Sequence, residues 1–126
     1  IFDQRGWFLK IINGKEIDLN PKIGEFYVTV AKPNQSRGGH FHRMANEWFT
    51  LLSGQCKLML FDVNNNKSKE IILCEKKPET IYVPAHIAHL FINISNSDFT
   101  LLAYSDIVYN PNDTISHDFG ASAINQ

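Results

Sequence analysis

Short runs of alternating or β-branched apolar residues recur along the chain with turn residues between them, and no stretch keeps a 3.6-residue apolar period for three turns. The pattern predicts strands over Gly6 to Ile12, Glu25 to Ala31, His40 to Phe41, Glu47 to Ser53, Cys56 to Asp62, Glu70 to Cys74, Thr80 to Val83, His89 to Asn93 and Thr100 to Ser105. Asn13-Gly14, Pro33-Asn34-Gln35-Ser36, Ser53-Gly54-Gln55, Asn64-Asn65-Asn66, Lys76-Lys77-Pro78 and Asn96-Ser97-Asp98 supply the turns between them. Met44 to Leu52 could compete as a helix, but its aromatic and β-branched content and the tight Ser53-Gly54 that follows favour a strand. An all-β sandwich or barrel is the expected class.

At 126 residues the chain is long enough for one hydrophobic core and too short for two, so residues 1–126 are expected to form a single domain. Twelve Lys and Arg stand against 13 Asp and Glu, with no basic stripe, which argues against nucleic acid and anionic membranes as partners. The longest apolar runs, such as Trp48 to Leu52, fall far short of the ~20 residues of a membrane helix. A cytoplasmic protein is expected, and Cys56 and Cys74 read as buried thiols rather than a metal clip or disulfide. The chain opens at Ile1 on an aromatic segment without the pattern of a secretory leader, which suggests a short native stretch before it. Part of the polar tail, 110–126, is expected to be loosely ordered or pinned to a neighbouring subunit.

Candidate chemistry gathers in two places. Alternate side chains of a strand share a face, so His40 and His42 project together while Phe41 turns away. Glu47 follows after a short bend and shares a face with Phe49, Leu51 and Ser53; His89, Phe91 and Asn93 share one on a remote strand. If these faces close on one cavity, His40, His42, Glu47 and His89 make an N3O ligand set that Zn, Fe, Mn or Ni would accept. A single such histidine would more often be an exposed or core residue; four suitable residues at related spacings favour a metal. Arg37 stands beside Gly38 and Gly39, where its planar donors suit a diphosphate or sugar oxygens, the alternative being an exposed turn arginine. Tyr27 is placed in the packing or in the pocket wall, and Trp48 and Phe49 in the core or a subunit interface.

The run His40-x-His42-x4-Glu47-x6-Gly54, followed by Pro84-x-His86-x2-His89-x3-Asn93, resembles the two motifs of the cupin superfamily. It departs from them at Asn34, Pro78 and His86, where the motifs usually have glycine. The resemblance implies a double-stranded β-helix, or cupin jelly roll, working as a homodimer. Asp3-Gln4-Arg5-Gly6-Trp7-Phe8, Arg37-Gly38-Gly39-His40 and Tyr109-Asn110-Pro111-Asn112-Asp113 narrow it further. They are similar to landmarks of cupin enzymes that rearrange nucleotide-linked 4-keto sugars: the dTDP-4-dehydrorhamnose 3,5-epimerases, the dTDP-sugar 3,4-ketoisomerases and the zinc-containing cupin domain of CapF. Asn46-Glu47-Trp48-Phe49 and the spacing from Tyr104 to Pro111 most resemble the CapF domain, which keeps the metal set.

What the resemblance implies is an epimerase or isomerase acting at C3 of a nucleotide-linked 4-keto-6-deoxy sugar in surface-polysaccharide biosynthesis. His40, His42 and Tyr104 would be catalytic, and Arg37, Tyr27, His86 and Tyr109 would meet the substrate. A divalent metal, Zn first, would sit on His40, His42, Glu47 and His89, with Tyr104 or His86 exchanging protons. The alternative is a metal-free site with His40 as base and Tyr104 as acid, because an imidazole lone pair cannot serve a metal and a proton at once. A noncatalytic sugar-binding or regulatory metal-binding cupin, and a metal-dependent dioxygenase, are the rivals from other classes.

Overall fold

The computed structural model describes residues 2–120; the last part of the polar tail, 121–126, lies outside the described residues. Its strands are β1 (Phe2–Asp3), β2 (Gly6–Trp7), β3 (Glu25–Ala31), β4 (Ser36–Phe41), β5 (Glu47–Ser53), β6 (Gln55–Asp62), β7 (Lys67–Cys74), β8 (Thr80–Val83), β9 (Ile87–Asn93), β10 (Phe99–Ser105) and β11 (Ile115–Ser116). A four-stranded sheet runs in the order β3-β10-β5-β8 and a five-stranded sheet in the order β11-β4-β9-β6-β7, every pairing antiparallel. From β3 onward, consecutive strands thus alternate between these two sheets except at the β6-β7 hairpin, as in the expected jelly roll.

The inward faces of the two sheets meet in a core built on Phe49, Leu51, Leu58, Phe91, Phe99 and Leu101. Phe49 and Phe91, from opposite sheets, pack with ring centroids 4.8 Å apart. The period-two reading of β5 and β9 therefore places the core correctly. On the outer side of the four-stranded sheet, Trp48 stacks on Tyr82 at 4.8 Å. The strand expected over Gly6 to Ile12 shrinks to Gly6–Trp7, paired only with Phe2–Asp3, and Trp7 and Phe8 are exposed. Neither larger sheet takes β1 or β2 as a member, so alternation there has no ladder to join.

Two of the expected departures from glycine have a structural answer. Asn34 (φ 67°) and His86 (φ 70°) adopt the left-handed conformation that glycine would enter more easily. Within the described part of the tail, Ile115 pairs with Phe41 and Ser116 with His40. Asn93 closes β9 with its side chain buried, its amide donating to the carbonyls of Ala31 at 2.9 Å and Ser97 at 2.8 Å while its oxygen accepts from Ser95 N–H at 2.9 Å. Asn93→Ala is expected to lower the unfolding free energy by about 2–4 kcal/mol, since it leaves buried backbone groups without partners. Urea unfolding should show a lower midpoint with an unchanged slope.

Candidate metal centre and substrate cavity

Backbone geometry brings the histidines together. Gly38 has φ 100°, and a Cβ there would come within 2.7 Å of the His89 carbonyl oxygen, so only glycine lets β4 lie this close to β9. The register shifts between Gly38 and His40, a bulge that sets His40 directly opposite His89. His42 follows at the end of β4, its carbonyl accepting the His86 N–H at 2.7 Å and its Nδ1–H donating to the Asp113 carbonyl at 2.8 Å. That bond leaves Nε2 of His42 with its lone pair free to face inward.

The imidazole nitrogens of His40, His42 and His89 lie within 4.8 Å of one another. Glu47, 3 % exposed at the start of β5, faces them from the other sheet. Its Oε1 is 2.9 Å from Nε2 of His42 and 3.6 Å from Nε2 of His89, whereas Oε2 accepts the Tyr27 hydroxyl at 2.8 Å. Oε1 is buried without a donor in hydrogen-bond geometry. A carboxylate oxygen in that position calls for a proton on the facing imidazole or a cation among the four side chains, and the donor set suits a divalent metal.

Burial sets the charge states. His89 is driven down to about 4, first by desolvation, so its ring is neutral near pH 7. Desolvation also lowers His40, helped by the neighbouring charge of His42. Burial works against charge on His42 too, but the carboxylate of Glu47 and the Asp113 carbonyl outweigh it and raise its pKa. For Glu47 burial is likewise the largest influence, yet His42, His89 and the Tyr27 hydroxyl overcome it and hold the carboxyl below its ordinary range. Tyr27 is shifted upward by burial and by Glu47, so it keeps its proton.

Two cavities meet at this centre. One, of about 320 Å³, is lined by Tyr27, His40, His42, Glu47, Tyr109 and Asp113 among others. The second, of about 250 Å³, is lined by Tyr27, Arg37, His40, His89, Phe49 and Phe91 among others. Tyr27 and His40 belong to both. Arg37 sits at the second cavity with its Nε donating to the Val30 carbonyl at 2.8 Å, and Tyr109 is an exposed rim residue of the first, its N–H donating to Glu25 at 2.8 Å.

Seven of the nine expected site residues therefore converge. Tyr104 does not: it pairs with Trp48 and Phe26 while the adjacent Ser105 pairs with Glu47, so Tyr104 faces the opposite side of the sheet. Its hydroxyl accepts the Gly24 N–H at 3.0 Å and its ring packs on Phe26 at 4.6 Å. Ser105 takes the inward place, one residue along. His86 lines neither cavity and contributes its backbone.

The model of the polysaccharide biosynthesis C-terminal domain matches residues 1–116. The chain belongs to this family. It is 24 % identical over 124 residues to the UDP-2-acetamido-2,6-beta-L-arabino-hexul-4-ose reductase of Pseudomonas aeruginosa, covering 96 % of this chain but only 32 % of the reductase. The capsular polysaccharide assembling protein CapF of Staphylococcus aureus superposes with TM-score 0.72 at 25 % identity, over 79 % of this chain and 28 % of CapF. A 3,4-ketoisomerase from Helicobacter canadensis is similar over all of this chain and 92 % of its own length, with 26 % identity and TM-score 0.75. The chain thus spans about a third of the reductase and nearly the whole ketoisomerase.

The residue that the sequence marks only as a landmark is Asp113, whose carbonyl holds the His42 ring and whose carboxylate holds the amides of Arg43, Met44 and Ala45. Seventy-one positions from His42, it gave no signal beyond the Asn110-Pro111 turn that carries it. For the metal-free chain, His42 and Glu47 give a sign for pH. The stabilisation from the raised His42 is present at low pH and lost as pH rises through its folded pKa, leaving the carboxylate opposite a neutral ring. Added Zn should therefore raise the melting temperature more at pH 8 than at pH 6, and His89→Ala should abolish most of that gain; differential scanning fluorimetry at the two pH values checks both.

Proposed function

We propose that this chain is an epimerase or 3,4-ketoisomerase acting at C3 of a nucleotide-linked 4-keto-6-deoxy sugar, as a cytoplasmic homodimer in surface-polysaccharide biosynthesis. The observation that carries the reading is the buried imidazole and carboxylate cluster where two cavities meet, in a chain of the polysaccharide biosynthesis family. The similarity to a ketoisomerase over nearly equal lengths supports an enzyme of this size. A C4 ketone acidifies the C3 proton, so the site must receive that proton and hold the oxygen on which charge develops.

His40, His42, Glu47 and His89 would hold a divalent ion, Zn first, and such an ion when bound supplies positive charge beside the developing oxyanion. Tyr27 keeps Glu47 oriented through its hydroxyl and keeps its own proton in doing so. Arg37 offers its guanidinium to the diphosphate or sugar oxygens at the second cavity, and Tyr109 offers its ring at the rim of the first.

A second reading is favoured by His40 itself. Its neutral ring borders both cavities, while Tyr104 and His86, the other candidates for proton exchange, lie outside them. In a metal-free site His40 would take the C3 proton directly.

Exposed Phe26 and Val28 on the edge strand β3 support a second copy as partner. Among the described residues no helix is long and apolar enough to cross a membrane, and nothing in the charge pattern calls for nucleic acid.

Incubation with 4-keto nucleotide sugars in heavy water should place deuterium at C3, read by mass spectrometry and NMR. A folded protein that incorporates none across several such sugars contradicts the reading. Loss of exchange on chelation with recovery on Zn addition assigns His40 to the metal, whereas exchange that survives chelation and vanishes in His40→Ala assigns it to the proton.

A further inference from the structure

We infer that Asp113 is a positioning residue for the candidate metal centre: its carboxylate clamps the loop joining His42 to Glu47, and its carbonyl fixes the His42 ring. The inference rests on the metal reading of that centre and concerns a residue at the far end of the chain. Asp113 Oδ1 accepts the N–H groups of Arg43 at 2.8 Å and Met44 at 3.1 Å, and Oδ2 accepts those of Met44 and Ala45 at 3.2 Å each. Three consecutive backbone donors thus converge on one carboxylate. The same residue's carbonyl accepts Nδ1–H of His42 at 2.8 Å.

Both contacts act on ligand geometry. The loop 43–46 is the only covalent path between His42 and Glu47, so fixing its amides fixes the approach of two side chains whose Nε2 and Oε1 stand 2.9 Å apart. The Nδ1–H bond selects the tautomer that leaves Nε2 as the metal-facing donor. Asp113 is itself held: it ends the 3-10 turn Pro111–Asp113, whose Asn110 side chain accepts from Asn112 N–H, and its own N–H donates to the Asn110 carbonyl at 2.9 Å. Beyond it, Ile115 and Ser116 pair with Phe41 and His40, and His117 N–H donates to the Gly39 carbonyl at 2.9 Å. The C-terminal segment is therefore zipped along β4, which carries His40 and leads into His42, and Asp113 is the point where it grips the loop that follows.

Asp62 provides an internal control of the same chemistry. Its carboxylate accepts the N–H groups of Asn64 and Asn65 at 3.0 and 3.2 Å and the Asn65 side-chain amide at 2.8 Å, all within the β6-β7 hairpin. If Asp113 matters only as a loop clamp for folding, Asp62→Ala and Asp113→Ala should behave alike.

The test uses the full chain with two readouts. In the metal-free protein at alkaline pH, the ¹⁵N shifts of the His42 ring should report protonated Nδ1 in the parent; Asp113→Asn and Asp113→Ala keep the carbonyl but lose the carboxylate clamp that holds it against the ring, so they should show a mixture of tautomers. In Co²⁺ titrations followed by visible absorption, both Asp113 variants should bind about 10- to 100-fold more weakly with altered bands, while Asp62→Ala stays within about twofold of the parent. Asp113→Asn is close to isosteric, so it serves if the alanine variant does not fold. Unchanged His42 shifts and Co²⁺ affinity in Asp113→Asn, or an equal loss of affinity in Asp62→Ala, overturn the inference. A parent that binds no Co²⁺ refutes the metal reading instead, and the ring shifts then decide the role of Asp113 alone.

Discussion

The Glu47 carboxylate is the group the rest of the site is arranged around. Removing a charge from water costs several kcal/mol unless partners replace the lost solvation, and here one oxygen is served by Tyr27 while the other faces imidazoles with no donor properly aligned. That oxygen biases His42 toward its charged form, while burial drives His40 and His89 toward neutrality against the pull of Glu47. A divalent cation would satisfy the oxygen and use the neutral rings as donors. The same burial that makes the metal-free arrangement costly would therefore favour the loaded one.

Around this constraint the fold supplies positions from both sheets. Glu47 and Tyr27 come from the four-stranded sheet, His40 and His89 from paired strands of the five-stranded one. The close approach at Gly38 and the bulge beside it re-aim His40 toward His89. Asn46 steadies the last step before Glu47: its N–H and side-chain amide donate to the two oxygens of Asp106, and its side-chain oxygen accepts the Ala85 N–H. Because the jelly roll hosts unrelated chemistries, function lies in these side chains and not in the sheet order.

Much of this was legible in the sequence because strand periodicity is a local rule. The spans Glu25–Ala31, Glu47–Ser53 and Thr80–Val83 follow from alternation and flanking turns, and the same alternation puts Glu47 with Phe49 and His89 with Phe91 on shared inner faces. Tyr104 shows where resemblance, not alternation, misleads: the family likeness implies a tyrosine in the site, but the β5-β10 register sets Ser105 against Glu47 and turns Tyr104 outward. The contacts of Asp113 depend on how the C-terminal segment folds back over β4, a long-range event that no local pattern encodes. At the N-terminus the failure has the opposite cause. The strand-like run at Gly6 to Ile12 joins neither larger sheet, and with just Phe2–Asp3 as its partner it did not become a long strand.

The most direct test of the central claim is X-ray absorption spectroscopy of the Zn-loaded chain. The account predicts one tightly held ion whose inner shell contains three imidazole nitrogens at about 2.0–2.1 Å and a carboxylate oxygen at about 2.0–2.2 Å, with the oxygen contribution altered in Glu47→Gln. A shell containing sulfur at about 2.3 Å, a shell of oxygens alone, or a chain that retains no Zn would contradict it.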